Sequence, residues 1–164
     1  MAQRRGELRS YAQTALAHPN QCQALVNIVS KAAELVDGVP NPARTIVEDL
    51  QYVLIGNDLI EGRGKGAFFV GYKNKSGKFY WRGARGFKKE LRDSSHQIQH
   101  AVAGIVIGYR YSRPVQWLVK WIEEEPQDDR LYDATFPLGR DLNDKNYKEL
   151  AKKLERTIGQ GTKK

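Results

Sequence analysis

The sequence predicts an α+β fold: a single, predominantly helical domain of five or six helices with one aromatic antiparallel β-hairpin near residues 67–83. Apolar residues recur at helical spacing through the first third of the 164-residue chain. Aromatic-rich runs then flank a short turn, and an apolar run with helical spacing follows at residues 98–109. One domain is the simplest organisation at this length. We assign residues 1–158 to it and residues 159–164 to a disordered basic tail.

Caps and breakers define the first helices. A short helix is predicted over residues 7–17. Asn20 is the predicted N-cap of the next helix, with a glutamine at capping-box spacing, and Gly38 ends it. A third helix is predicted to begin with Asn41 as its cap and Pro42 at its first helical position.

The predicted hairpin consists of residues 68–73 and 78–83, joined by the turn 74–77, which has Asn first and Gly fourth. In this register one face of the hairpin is apolar and would pack on the helices. The opposite face carries Phe69, Lys73, Lys78, Tyr80 and Arg82.

A helix over residues 95–111 is predicted to be the hydrophobic centre of the domain. Its apolar residues recur at helical spacing, and Gly104 and Gly108 stand four residues apart. Small residues on one ridge allow a second backbone to approach closely, which is typical of a buried helix.

The remainder of the chain is predicted to be less regular. Residues 115–122 form a short helix or an extended stretch, and residues 123–133 form an acidic loop broken by a proline. A last helix is predicted over residues 144–158, capped by Asn143 or Asp144.

The chain is strongly basic. It has 27 Lys and Arg residues against 19 Asp and Glu residues, a formal charge of +8. Such a surplus favours binding of nucleic acid or another polyanion, or of an acidic protein, although solubility alone is an alternative reason for it. The single cysteine, Cys22, excludes an intramolecular disulfide and a cysteine-cluster metal site. No signal peptide or membrane span is predicted, so we expect a cytoplasmic protein, with signal-less export left open, and no cofactor.

The net positive charge is concentrated in one stretch. Between Gly62 and Arg92 there are ten Lys or Arg residues and one carboxylate, Glu90. Cations attract phosphate, and exposed rings stack unpaired bases, worth about 1–3 kcal/mol per base. This surface would shrink if the acidic residues 123–129 folded back onto it. The predicted nucleic-acid-binding residues are Arg63, Lys65, Phe69, Lys73, Lys78, Tyr80, Arg82 and Arg85.

A polar cluster follows directly, with Asp93, His96 and His100 as candidate catalytic residues. The two histidines stand four apart on one side of a helix, and the string resembles the His-Glu-x-x-His pattern of zinc proteases. Gln97 replaces the glutamate and cannot act as a general base. A third metal ligand would have to come from the distant acidic residues 123–129, so no metal site is predicted. Without metal, either histidine can serve as a general acid–base oriented by Asp93, beside cations that stabilise developing charge.

Three classes of function therefore remain open. The leading interpretation is binding of a polyanion, most readily nucleic acid. The alternatives are a small metal-independent nuclease or other phosphate-ester hydrolase, as in a toxin-type effector, and a protein-interaction module for an acidic partner. The sequence does not distinguish DNA from RNA.

Overall fold

Helices form most of the chain in the computed structural model, which describes residues 1–15, 17–55, 84–92, 97–122 and 126–160. Among these residues there are seven α-helices: α1 (Ala2–Ala15), α2 (Gln21–Leu35), α3 (Pro42–Leu50), α4 (Gln97–Arg110), α5 (Arg113–Ile122), α6 (Pro126–Arg140) and α7 (Leu150–Ile158). A π-helical turn, Gln51–Ile55, continues α3, and 3-10 turns occupy Lys89–Leu91 and Tyr147–Glu149.

The predicted α+β class is wrong for the part of the chain that the structure describes. No β-strand occurs within those residues, and the one sheet-like feature there is an isolated antiparallel bridge between Phe87 and Gly159. The described apolar faces are buried by other helices, so the described core is built without a sheet. The predicted hairpin at residues 67–83 lies outside the described residues.

Helix α4 lies at the centre of the core, as the sequence predicted for residues 95–111. Eleven of its fourteen residues are buried, on all sides of the helix. It packs against α6, α3 and the π-helical turn. A helix that is apolar around its whole circumference is stable when neighbours cover every face, and these elements provide that cover.

The two predicted glycines allow α4 and α6 to approach closely. A Cβ atom on Gly108 would lie 2.2 Å from the carbonyl oxygen of Phe136, and one on Gly104 would lie 1.9 Å from Oγ1 of Thr135. A Cβ atom on Gly139 of α6 would likewise lie 2.1 Å from the carbonyl oxygen of Ile105. The contacts advance in the same direction along both helices, so α4 and α6 run parallel, with α5 between them in the chain. The predicted glycine ridge is confirmed.

The acidic loop predicted at residues 123–133 is wrong from residue 126 onward, because Pro126 begins α6. Proline lacks a backbone N–H, but the first helical turn does not need one, so Pro126 starts a helix here and does not break one. A second proline, Pro137, lies inside α6, and its carbonyl still accepts a hydrogen bond from the backbone N–H of Asp141 (3.0 Å). The predicted five or six helices are therefore seven among the described residues.

Helices α2 and α3 begin with one expected and one unexpected N-cap. The side chain of Asn20 accepts a hydrogen bond from the backbone N–H of Gln23 at 2.9 Å, which confirms the predicted cap of α2. Asn41 precedes α3 in a left-handed conformation (φ 51°) and makes no side-chain cap bond. Instead, Oδ1 of Asp144 accepts from the backbone N–H of Ala43 at 2.9 Å.

The last helix is shorter than predicted. Helix α7 begins at Leu150, after the 3-10 turn, so the prediction that it starts at residue 144 is wrong. Asp144 is not a cap of this helix, because its carboxylate is bound to α3. Leu150, Leu154 and Ile158 lie on the buried face of α7, which packs on α2. Within the described ranges, no helix combines the length and apolar character needed to cross a lipid bilayer.

Candidate nucleic-acid interface

Residues 84–92, which we call the basic segment, are held on the helical core by their backbone. The carbonyl of Arg85 accepts from the N–H of Cys22 (3.2 Å), and the N–H of Lys88 donates to the carbonyl of Ile158 (2.8 Å). The carbonyl of Gly86 accepts from the N–H of Gln160 (2.8 Å). These bonds tie the segment to the start of α2 and the end of α7.

Two residues fix the path of the basic segment. Phe87 is fully buried and anchors the segment in the core. Gly86 has a φ of 88°, and a Cβ atom there would lie 1.8 Å from Oδ1 of Asn20, the residue that caps α2. Only glycine satisfies both the positive φ and the close approach. The cationic side chains on either side of this anchor therefore start from a fixed backbone.

Four cations project from this anchored segment. Arg85, Lys89 and Arg92 are exposed, and Lys88 is half-buried. The ammonium of Lys88 donates to the carbonyl oxygen of Arg156 (3.0 Å), and Nε of Arg92 donates to the carbonyl oxygen of Phe87 (3.2 Å). Carbonyl partners orient these groups but leave their positive charge in place.

No carboxylate among the described residues forms an ion pair with these four cations. Glu90 lies on the same segment and is exposed. Of the acidic residues 123–129, which the sequence placed as a competing partner, 123–125 lie outside the described residues. The segment therefore carries four cations against one carboxylate of its own.

The end of α7 adds to this surface. Lys88 binds the backbone of Arg156, so the exposed Arg156 side chain starts from the residue that Lys88 contacts. Lys152, one turn earlier on α7, is also exposed, as is the intervening Glu155. A cation at the C-terminus of a helix is favourable because it faces the negative end of the helix dipole, which helps to hold Lys88 in place.

A cavity of about 230 Å³ lies beside the basic segment. It is lined by Asn20, Cys22, Gln23, Gly86, Glu155, Gly159 and Gln160. Burial, with a smaller contribution from the negative charge of Glu155, raises the pKa of the Cys22 thiol to about 11. A thiol with so high a pKa is a poor nucleophile at neutral pH, so Cys22 serves as a small buried residue here.

Helix α4 begins close to the basic segment. The buried side-chain amide of Gln97 donates to the carbonyl oxygen of Leu91, and α6 packs against the turn Lys89–Leu91. One turn further along α4, the half-buried ring of His100 stacks on Tyr132 of α6, with ring centroids 6.3 Å apart. The described contact of His100 is thus a packing contact between two core helices.

The structure describes only two of the predicted site residues, Arg85 and His100. Arg85 is exposed on the basic segment, and His100 is packed at the start of α4. The others lie outside the described residues: Arg63, Lys65, Phe69, Lys73, Lys78, Tyr80, Arg82, Asp93 and His96. The catalytic interpretation stays a prediction, because two of its three residues are among these. Over the described ranges, no group of three or more His, Cys, Asp or Glu side chains is arranged to hold a metal ion.

Sequence reasoning left four residues of this surface out of the predicted binding set. Lys88, Lys89 and Arg92 belong to the same ten-cation stretch, which was the available signal, but the prediction concentrated on the hairpin. Arg156 had no such signal, because 68 residues separate it from Lys88.

Comparison with known proteins adds no relative: no protein family, no curated protein and no solved structure matches this chain.

Proposed function

We propose that the basic segment, together with the end of α7, binds a polyanion, most readily the phosphate backbone of a nucleic acid. The observation that carries this proposal is the set of four cations on an anchored nine-residue segment, which form no ion pair with any described carboxylate. Two of them, Lys88 and Arg92, are held by carbonyl groups. Cations that neutralise phosphates release the counterions condensed on the nucleic acid, and this release favours binding.

The anchoring of the backbone supports binding of an extended partner. Because the segment is bonded to the start of α2 and to the end of α7, its backbone needs little further ordering when phosphates bind. The ammonium of Lys88 has three donors and uses one of them on Arg156, so it can still donate to a phosphate oxygen.

The composition of the segment favours nucleic acid over an acidic protein. Its exposed residues, Arg85, Lys89, Glu90 and Arg92, are all charged, whereas its large apolar residues, Phe87 and Leu91, are buried. Protein interfaces usually have an apolar or aromatic centre and are depleted in lysine. Phosphate-binding surfaces need neither an apolar centre nor low charge.

The test is the salt dependence of binding to a fluorescently labelled oligonucleotide of mixed sequence, followed by anisotropy. Four phosphate contacts predict that log K falls with log salt with a slope of roughly 3. In the variant Arg85→Gln/Lys89→Gln/Arg92→Gln we expect the slope to fall by about 2 to 3. Lys88 is retained in this variant because its ammonium is bonded to α7.

The matched control removes the same charge from exposed positions elsewhere, as Arg44→Gln/Arg113→Gln/Lys145→Gln. We expect this control to bind with nearly the wild-type slope. A flat salt profile for the wild-type protein, or equal losses in the two triple variants, would contradict the proposal. Retention of one acidic protein after nuclease treatment, with no oligonucleotide binding, would favour the protein-interaction alternative.

A further inference from the structure

A second feature of the surface lies between α1 and the π-helical turn. An open groove of about 390 Å³ is lined by Met1, Ala2, Arg5, Gly6, Arg9 and Tyr52. This volume is at the lower end of the roughly 300–1,000 Å³ range of small-molecule sites. The groove shares no residue with the basic segment.

The groove is positively charged. Asp49, which is 1% exposed, is bound by the guanidinium groups of both Arg4 and Arg5, the latter at 2.8 Å. One carboxylate therefore balances only one of these two arginines. The one carboxylate in α1, Glu7, is paired with Lys31 of α2 at 3.1 Å.

Tyr52 supplies a planar surface at the edge of the groove. The guanidinium carbon of Arg5 lies 4.6 Å from the centroid of its ring, yet 48% of the residue remains exposed. Tyr52 belongs to the π-helical turn Gln51–Ile55. Such turns are rare, less favourable than α-helix, and often found at functional sites.

Gly6 forms part of the wall of the groove. It lies inside α1, where glycine destabilises a helix relative to alanine. Among the described residues, no atom lies within 4 Å of the position that its Cβ would occupy, so no described neighbour requires a glycine there. The missing side chain leaves space open beside the guanidinium groups of the groove.

We infer that the α1 groove binds a nucleotide, with the base stacked on Tyr52 and the phosphate beside Arg5. A planar ring and a charged phosphate in one ligand match the two kinds of surface that the groove brings together. The ligand is either a free mononucleotide or the terminal nucleotide of a strand, since both present the same chemistry.

The test is calorimetric titration of the full-length protein with adenosine 5′-monophosphate, adenosine and ribose 5-phosphate. We expect the mononucleotide to bind at least about tenfold more tightly than either fragment, because only it contacts both the ring and the cations. If the mononucleotide displaces a labelled oligonucleotide that carries a 5′-phosphate, the ligand of the groove is the end of a strand. Binding of the mononucleotide that does not displace the oligonucleotide identifies the free nucleotide as the ligand. No heat of binding with any of the three compounds would overturn the inference.

Two substitutions at Gly6 test whether the groove binds the ligand. Gly6→Leu fills the groove and is expected to weaken nucleotide binding by more than about tenfold, whereas Gly6→Ala leaves it open and binds as the wild type does. Tyr52→Leu, checked for folding by circular dichroism, is expected to weaken binding about tenfold through the lost stacking. Equal binding by Gly6→Leu, Tyr52→Leu and the wild type would overturn the inference.

The variant Arg85→Gln/Lys89→Gln/Arg92→Gln is expected to bind the mononucleotide as the wild type does, because it leaves the α1 groove intact. Loss of nucleotide binding in this variant would place the site on the basic segment and overturn the inference. The proposals for the α1 groove and for the polyanion surface are therefore tested independently of each other.

Discussion

Helix packing requires glycine at one position of this chain, Gly108, and no described neighbour requires it at another, Gly6. At Gly108 a Cβ atom would lie 2.2 Å from a backbone carbonyl oxygen of α6, and a backbone cannot move aside as a flexible side chain can. At Gly6 the same atom would meet no described neighbour within 4 Å. The same substitution by alanine therefore measures helix packing at one position and intrinsic helix propensity at the other.

We predict that Gly108→Ala lowers the free energy of unfolding by about 1–3 kcal/mol, because α4 and α6 must separate to admit the methyl group. Gly6→Ala is its control and is expected to raise the free energy of unfolding by about 0.5–1 kcal/mol. Urea denaturation followed by circular dichroism measures both changes. Two changes of the same sign would contradict the close contact between α4 and α6.

Helix ends in this protein are closed both by neighbours in sequence and by distant residues. Asn20 caps α2 three residues away, and local capping rules predicted it. Asp144 caps α3 from a position 101 residues further along the chain, and no local rule identifies it. Sequence reasoning assigned the α3 cap to Asn41 because the residue type and the following proline fit the pattern.

We predict that Asp144→Ala lowers the free energy of unfolding by about 1 kcal/mol, the usual effect of removing an N-cap acceptor. Asn41→Gly is expected to change it by no more than a few tenths of a kcal/mol, since glycine adopts the left-handed conformation of Asn41 without strain. Asp141→Ala, in the same loop and exposed, serves as the control. A large loss for Asn41→Gly and none for Asp144→Ala would restore the local assignment.

The same distinction explains how much of the fold and the site was predictable. Apolar residues at helical spacing identified α2 and α4, and the glycine pair in α4 correctly predicted a close contact with a second helix. Helix α6 was missed because Pro126 and acidic residues read as a loop, although both suit a first helical turn. The contact between Lys88 and Arg156 depends on how α7 packs, which local sequence does not encode.

At the scale of the molecule, three distant parts of the chain meet around Cys22. Its N–H bonds to the basic segment, and Gly159, just after α7, lies so close that a Cβ atom there would be 3.5 Å from the sulfur. Cys22 is 2% exposed, and burial is the main reason why the pKa of its thiol is raised to about 11. The folded state therefore favours the protonated thiol. This contribution to stability is complete below about pH 8.5, the pKa of an unperturbed thiol, and is lost as the pH rises towards 11.

Because Cys22 is buried and its backbone N–H is bonded to the basic segment, the reactivity of this thiol should report polyanion binding. At pH 7.5 we expect a thiol reagent to label Cys22 only when the segment or the whole domain opens. A polyanion at about 100 times its Kd stabilises the closed state by about 2.7 kcal/mol, which slows labelling about a hundredfold if opening releases it. In Arg85→Gln/Lys89→Gln/Arg92→Gln the polyanion should leave the labelling rate unchanged. Equal slowing in this variant and in the wild type would mean that the polyanion binds elsewhere, because the closed state would then be stabilised without the cations of the basic segment.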